Sequence, residues 1–136
     1  MMTVIQRSIL PLTVFLASIW SLPAAATDAL VKEGQGRYAE KCARCHGPTM
    51  DGIEHAPALR GSEFRAAWDG KTARELYKRV ISTMPQDDPG SLPEKDVIEV
   101  VAYVLSENKV TLPPVQKAND LNPIKLSMPA AGGAAR

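Results

Sequence analysis

At 136 residues the chain has the length of one domain. Its 16 basic and 15 acidic residues give a formal net charge of +1, which excludes a nucleic-acid-binding domain, since that requires a clear basic excess. Aromatic residues make up only 5% of the chain, and a small domain this poor in bulk has difficulty filling a core with side chains alone.

Residues 1–26 read as a secretory signal peptide. Arg7 supplies the charge, residues 9–22 the apolar run, and Pro23-Ala24-Ala25-Ala26 a small-residue end with an Ala-x-Ala cleavage pattern. The run is short for a membrane span and no stop-transfer cluster follows it. The pattern predicts cleavage after Ala26, export to the periplasm and no permanent span. Removal takes Arg7 with it and leaves 15 basic and 15 acidic residues.

Residues 28–45 predict the first helix of the mature chain, capped by Asp28. Leu30, Gly34, Tyr38 and Cys42 recur every four positions and share one stripe. Glycine inside a helix costs about 1 kcal/mol relative to alanine. Gly34 therefore predicts a close approach by another helix. The stripe runs into Cys42-Ala43-Arg44-Cys45-His46, the Cys-x-x-Cys-His pattern of covalent c-type haem attachment. Two thiols three positions apart can each add to one porphyrin vinyl group as a thioether. The adjacent His46 can then donate an imidazole nitrogen to the iron. Three other readings are weaker. A thioredoxin-like redox pair needs a βαβ setting that the flanks lack. A zinc site needs a second ligand pair, and the only other histidine is His55. A disulfide between such near neighbours closes a tiny loop and stabilises little. Haem c would also supply the missing core bulk.

Residues 47–62 hold Gly47, Pro48, Gly52, Pro57 and Gly61 and predict an irregular loop. A ligating histidine donates its other ring N–H to a carbonyl or carboxylate, and the Pro57 carbonyl is the candidate acceptor. The plainer reading is that Pro57 stiffens a turn. A short helix follows over residues 62–69, with Phe64 and Trp68 on one face. The next spans residues 72–82, where Thr72 and Glu75 form a capping box and Leu76 and Val80 point inward. Met84-Pro85 then opens a Gly/Pro/Asp loop. A thioether placed there can reach an open haem face, so Met84 is the candidate sixth ligand opposite His46. Met50 is too near the motif, Met128 falls in the C-terminal segment, and His55 is the rival ligand. Residues 91–108 predict the clearest helix. Ser91 is the expected cap, Pro93 and Glu94 fill the first turn, and Val97, Val100, Val101, Val104 and Leu105 form an apolar stripe. Tyr103 is the expected partner of the Gly34 face. Residues 110–136, rich in Pro, Ala and Gly, show no period and read as a flexible tail, at least beyond Asn122. The other reading is a segment that wraps the domain or docks to a larger partner.

Taken in order, residues 30–107 resemble the class I cytochromes c. The resemblance rests on Gly34-x-x-x-Tyr38-x-x-x-Cys42-x-x-Cys45-His46-Gly47, on Pro57-x-Leu59, on Met84-Pro85 and on Ala102-Tyr103-Val104. It implies an all-α fold over residues 27–109, with helices wrapped round one covalently attached haem and the N- and C-terminal helices crossing. It also implies thioethers at Cys42 and Cys45, axial ligands at His46 and Met84, and hydrogen bonds from Arg60 and Trp68 to the haem propionates. The run Met84-Pro-x-x-x-Pro-Gly-x-Leu92 further resembles cytochromes that serve bacterial quinoprotein dehydrogenases. The implied function is a periplasmic one-electron carrier, not an enzyme, between a dehydrogenase or other donor and an acceptor oxidase or cytochrome. It would be a monomer or a complex subunit and would dock through a small transient interface. Arg44, Lys71, Lys78 and Arg79 are either a docking patch or a solvated face. Two alternatives stand: an obligate electron-transfer subunit of a dehydrogenase complex, or a ligand-binding or catalytic haem protein if Met84 is not on the iron.

Overall fold

A computed structural model describes residues 22–129, and the regular elements there are helices joined by irregular loops. In chain order the elements are α1 (Leu22–Lys41), α2 (Ala43–His46), α3 (Gly61–Trp68), α4 (Ala73–Thr83), α5 (Glu94–Glu107) and a short 3-10 helix (Ala118–Leu121). Two isolated antiparallel bridges, Ile53 with Ala56 and Thr72 with Lys125, are the only strand-like pairings among the described residues. No helix in this range is long and apolar enough to cross a membrane. The signal peptide expected over residues 1–26 lies outside the described residues up to residue 21. Residues 22–26 form the start of α1, earlier than the Asp28 cap expected from sequence. Pro23 is no obstacle there, because proline is compatible with the first turn of a helix.

The frame is the crossing of α1 and α5. At Gly34 a Cβ would fall 1.9 Å from the Glu99 carbonyl oxygen and 2.9 Å from the Tyr103 Cβ. Only glycine lets the two backbones meet this closely. One turn on, the Tyr38 and Tyr103 rings pack edge to face at 5.7 Å. Val97, Val100, Val101, Val104 and Leu105 of α5 are all buried, as their spacing predicts, and Ile98 is buried with them. Burying each such side chain contributes about 1.5–3 kcal/mol. The same helix buries one charge: the Glu99 side chain is 3% exposed and lies 2.7 Å from Lys95 Nζ and 3.5 Å from Arg37 Nε. Arg37 also reaches Asp96 at 3.4 Å. The pairing satisfies a carboxylate that the apolar stripe would otherwise leave stranded.

The helix starts depend on local chemistry. Thr72 caps α4: its hydroxyl accepts from the Glu75 N–H, and the Glu75 carboxylate accepts from the Thr72 N–H at 2.7 Å. Helix α5 departs from expectation. Its N-cap is Pro93, with no side-chain cap, and Ser91 stays outside. The Glu94 carboxylate is spent elsewhere, accepting from the Ala118 N–H at 2.7 Å.

That bond belongs to the largest correction to the sequence reading. The described part of the expected tail, residues 110–129, is packed onto the helices. Leu112, Val115, Ala118, Leu121, Leu126 and Met128 are buried. Main-chain bonds sew the segment to the α3–α4 junction: Ala73 N–H to Ile124 O at 2.8 Å, Leu126 N–H to Lys71 O at 2.8 Å, and Gly70 N–H to Leu126 O at 2.9 Å. The Met128 N–H donates to the Asp69 carboxylate at 2.9 Å. Periodicity could not reveal this, because prolines break the backbone into short irregular pieces whose apolar residues face inward without a constant step.

Candidate functional site

The site begins where α1 ends. Lys41 closes α1, Cys42 forms the junction, and α2 carries Cys45 and His46. Two polar contacts fix this turn. The Tyr38 hydroxyl donates to the Gly47 carbonyl at 2.6 Å, and the Gly52 N–H donates to the His46 carbonyl at 3.0 Å. Burial pushes the Tyr38 phenol far above its usual titration range, so it remains a donor. Gly52 has φ +78°, and a Cβ there would meet the Ala56 carbonyl oxygen at 2.5 Å. Glycine thus allows the loop to fold back beneath α2.

The folded-back loop brings Pro57 to His46. The imidazole Nδ1 lies 2.9 Å from the Pro57 carbonyl oxygen. A carbonyl can only accept, so Nδ1 donates and Nε2 is the nitrogen left to face a metal. The residue is buried at 8% exposure. A buried imidazole with one nitrogen held by a carbonyl is oriented as a metal ligand.

His46 opens onto a cavity of about 620 Å³, within the usual range for cofactor pockets. Cys42, Cys45, His46, Pro57, Trp68 and Met84, all picked out from sequence, line it together. Apolar walls come from Leu59, Phe64, Leu76, Val80, Leu92, Val100, Val101 and Val104. Val100, Val101 and Val104 of α5 therefore face the cavity as well as the helix bundle. The two cysteines form no disulfide with each other; Cys45 is exposed and Cys42 partly buried. Burial, reinforced by the neighbouring Cys45, pushes the Cys42 thiol up to about 11. Met84 stands at the C-terminal cap of α4, where its N–H still bonds to the Val80 carbonyl at 2.9 Å.

Arg60, expected near the haem propionates, lies elsewhere. It does not line the cavity. Its guanidinium is engaged with Asp51, Nε at 2.8 Å and Nη2 at 3.0 Å, and this pairing holds the Asp51 carboxyl below its ordinary range. The cations that do line the cavity are Lys41, Arg44, Lys71 and Arg79. Lys71 sits 4.8 Å over the Trp68 ring. Arg44 is ion-paired with Asp87. Sequence separation of 43 residues hid that pair; no local pattern announces it. Lys78, grouped with them from sequence, is not in the lining. His55 is exposed and sits among the lining residues, whereas Met50 and Met128 are buried core residues outside it.

The donor set fits a covalently held haem. It offers two thiols at vinyl-adding spacing, one imidazole with a free Nε2, one neutral thioether and largely apolar walls. It does not fit a bare metal ion, since no group of three His, Cys, Asp or Glu side chains among the described residues could hold one.

Comparison with known proteins agrees. Residues 29–104 match the family described as cytochrome c oxidase, cbb3-type, subunit III. Cytochrome c6 of Synechocystis sp. is 29% identical over 101 residues, covering 72% of this chain and 82% of that protein. The crystal structure of the sulfane dehydrogenase SoxCD from Paracoccus pantotrophus superposes with a TM-score of 0.55 at 21% identity, over 90% of this chain and 67% of that one, a likeness of fold. More than half of the chain, including the Cys-x-x-Cys-His motif, helices α3 and α4 and most of α5, falls within the family match, and the chain belongs to this family of c-type cytochromes.

Proposed function

We propose that the protein is a periplasmic one-electron carrier bearing one haem c, passing electrons between a dehydrogenase or other donor and a respiratory acceptor. One observation carries the reading: Cys42, Cys45, His46 and Met84 line a single apolar cavity, with His46 already oriented by Pro57. When bound, haem supplies a reversible Fe(II)/Fe(III) couple. The chain's residues supply the rest. Each thiol would add across one vinyl group, forming a carbon–sulfur bond and leaving its hydrogen on the other vinyl carbon. His46 would offer Nε2 and Met84 its thioether as axial ligands. Two strong ligands leave no position for substrate, which favours electron transfer over catalysis. A neutral thioether and apolar walls both favour the reduced, less charged iron. Trp68, among the lining residues, would serve the haem edge. Export is supported by the Arg7, apolar-run and Ala-x-Ala pattern of residues 1–26.

The reading as an obligate subunit drew on a free C-terminal segment for docking. Residues 110–129 pack on the domain itself, which favours the free carrier over that reading. The test is the intact mass of protein exported to the periplasm of a host with cytochrome c assembly machinery. The mass in denaturant should exceed that of the cleaved chain by one haem. It should lose that increment when both Cys42 and Cys45 are replaced by serine. A chain that sheds its haem in denaturant would refute covalent attachment.

A further inference from the structure

We infer that the Arg44–Asp87 ion pair is a clasp that holds the Met84 loop closed, so that both residues position the sixth ligand. The inference rests on the proposed ligation by Met84. Arg44 lies on α2 between the two cysteines, two residues before His46. Asp87 lies three residues beyond Met84 on the loop that leads to α5. Both line the cavity. The pair therefore ties the element that carries His46 to the loop that carries on from Met84.

The loop has little else to hold it. Residues 86–91 are exposed. Its main-chain bonds are short-range, Asp88 N–H to Pro85 O at 3.1 Å and Ser91 N–H to Asp88 O at 3.3 Å. The Met84 N–H bonds back into α4. Among the described residues, Arg44–Asp87 is the only hydrogen bond or ion pair between this loop and α2. Its two side chains are 76% and 60% exposed, so it is a solvent-screened pair of modest strength. Modest strength suits a clasp: an added ligand reaches the iron only from the open state, and its apparent affinity scales with the open fraction. Loss of a surface pair would raise that fraction about two- to fivefold.

The experiment titrates imidazole into the ferric holoprotein and follows the visible spectrum. Asp87→Asn and Arg44→Gln should each raise imidazole affinity about two- to fivefold. The swap Arg44→Asp with Asp87→Arg should return it to the parent value, and Asp88→Asn, next door on the same loop, should leave it unchanged. Added salt should raise the affinity of the parent and not of Asp87→Asn, because screening removes only an existing pair. Met84→Ala separates the two ideas. If Met84→Ala greatly increases imidazole affinity while the clasp variants match the parent, the clasp is wrong and the ligation stands. If Met84→Ala binds imidazole no better than the parent, Met84 is not on the iron and both fall.

Discussion

Replacing Gly34 by alanine tests the crossing on which the fold is built. The new Cβ would lie 1.9 Å from the Glu99 carbonyl oxygen and 2.5 Å from its carbon. Ordinary contact begins at 3.4 Å, so α1 must retreat from α5 by about 1.5 Å. A gap of about 0.5–1 Å already forfeits a quarter to a half of the dispersion attraction between facing atoms. Overpacking a filled interior costs about 1–3 kcal/mol, and more when backbone rather than a flexible side chain must yield. Alanine recovers about 1 kcal/mol of helix propensity over glycine. The net expectation is a loss of about 2 kcal/mol. Gly36, two residues on in the same helix, has nothing within 4 Å of its would-be Cβ. Gly36→Ala should therefore stabilise by about 0.5–1 kcal/mol. Both variants are compared with the parent by guanidinium unfolding, reading the shift in midpoint at constant slope. A Gly34→Ala midpoint at or above that of the parent would refute the close crossing, whatever Gly36→Ala does.

Three further outcomes follow from particular contacts. Asn108 donates to the Leu59 and Val104 carbonyls at 2.8 Å each and accepts from the Gly61 N–H at 3.2 Å, so Asn108→Ala should cost about 1–3 kcal/mol in the same unfolding assay by leaving buried backbone groups unpaired. Leu121 is 0% exposed, and Leu121→Ala should cost about 2–5 kcal/mol; a negligible effect would mean that the C-terminal segment does not pack in solution. Asp120 is held below its ordinary value of 3.8 by the Gln116 and Lys117 backbone N–H groups, and Glu75 below 4.5 by the Thr72 N–H and hydroxyl. Their folded values are depressed, so the stability they add is complete above those ordinary values and is lost as pH falls through the lowered ones. Urea midpoints taken between about pH 6 and about pH 3 should fall less steeply for Asp120→Asn than for the parent.

The sequence made the site more legible than the frame around it. Cys42, Cys45 and His46 fall within five consecutive residues, and the chemistry fixes their spacing. Gly34, Tyr38 and Tyr103 declared the helix crossing because a glycine amid a helical stripe has few other uses. Thr72 and Glu75 declared the start of α4 because the capping box is local. What escaped was long-range or aperiodic. The bulk of residues 110–129 meets the helices through turns with no repeat. Glu94 was diverted from capping by Ala118, 24 residues away. Arg60 has the right chemistry for a carboxylate partner, but Asp51 supplies that partner within the chain.

The central claim is that His46 and Met84 both serve the iron of a covalently attached haem. Visible spectra of the holoprotein, oxidised and reduced, with and without carbon monoxide, test it most directly. Ligation by both residues should give sharp low-spin bands, a weak sulfur-to-iron charge-transfer band in the ferric form that Met84→Ala abolishes, and a reduced spectrum that carbon monoxide leaves unchanged. A high-spin spectrum, or ready carbon monoxide binding by the parent protein, would contradict it.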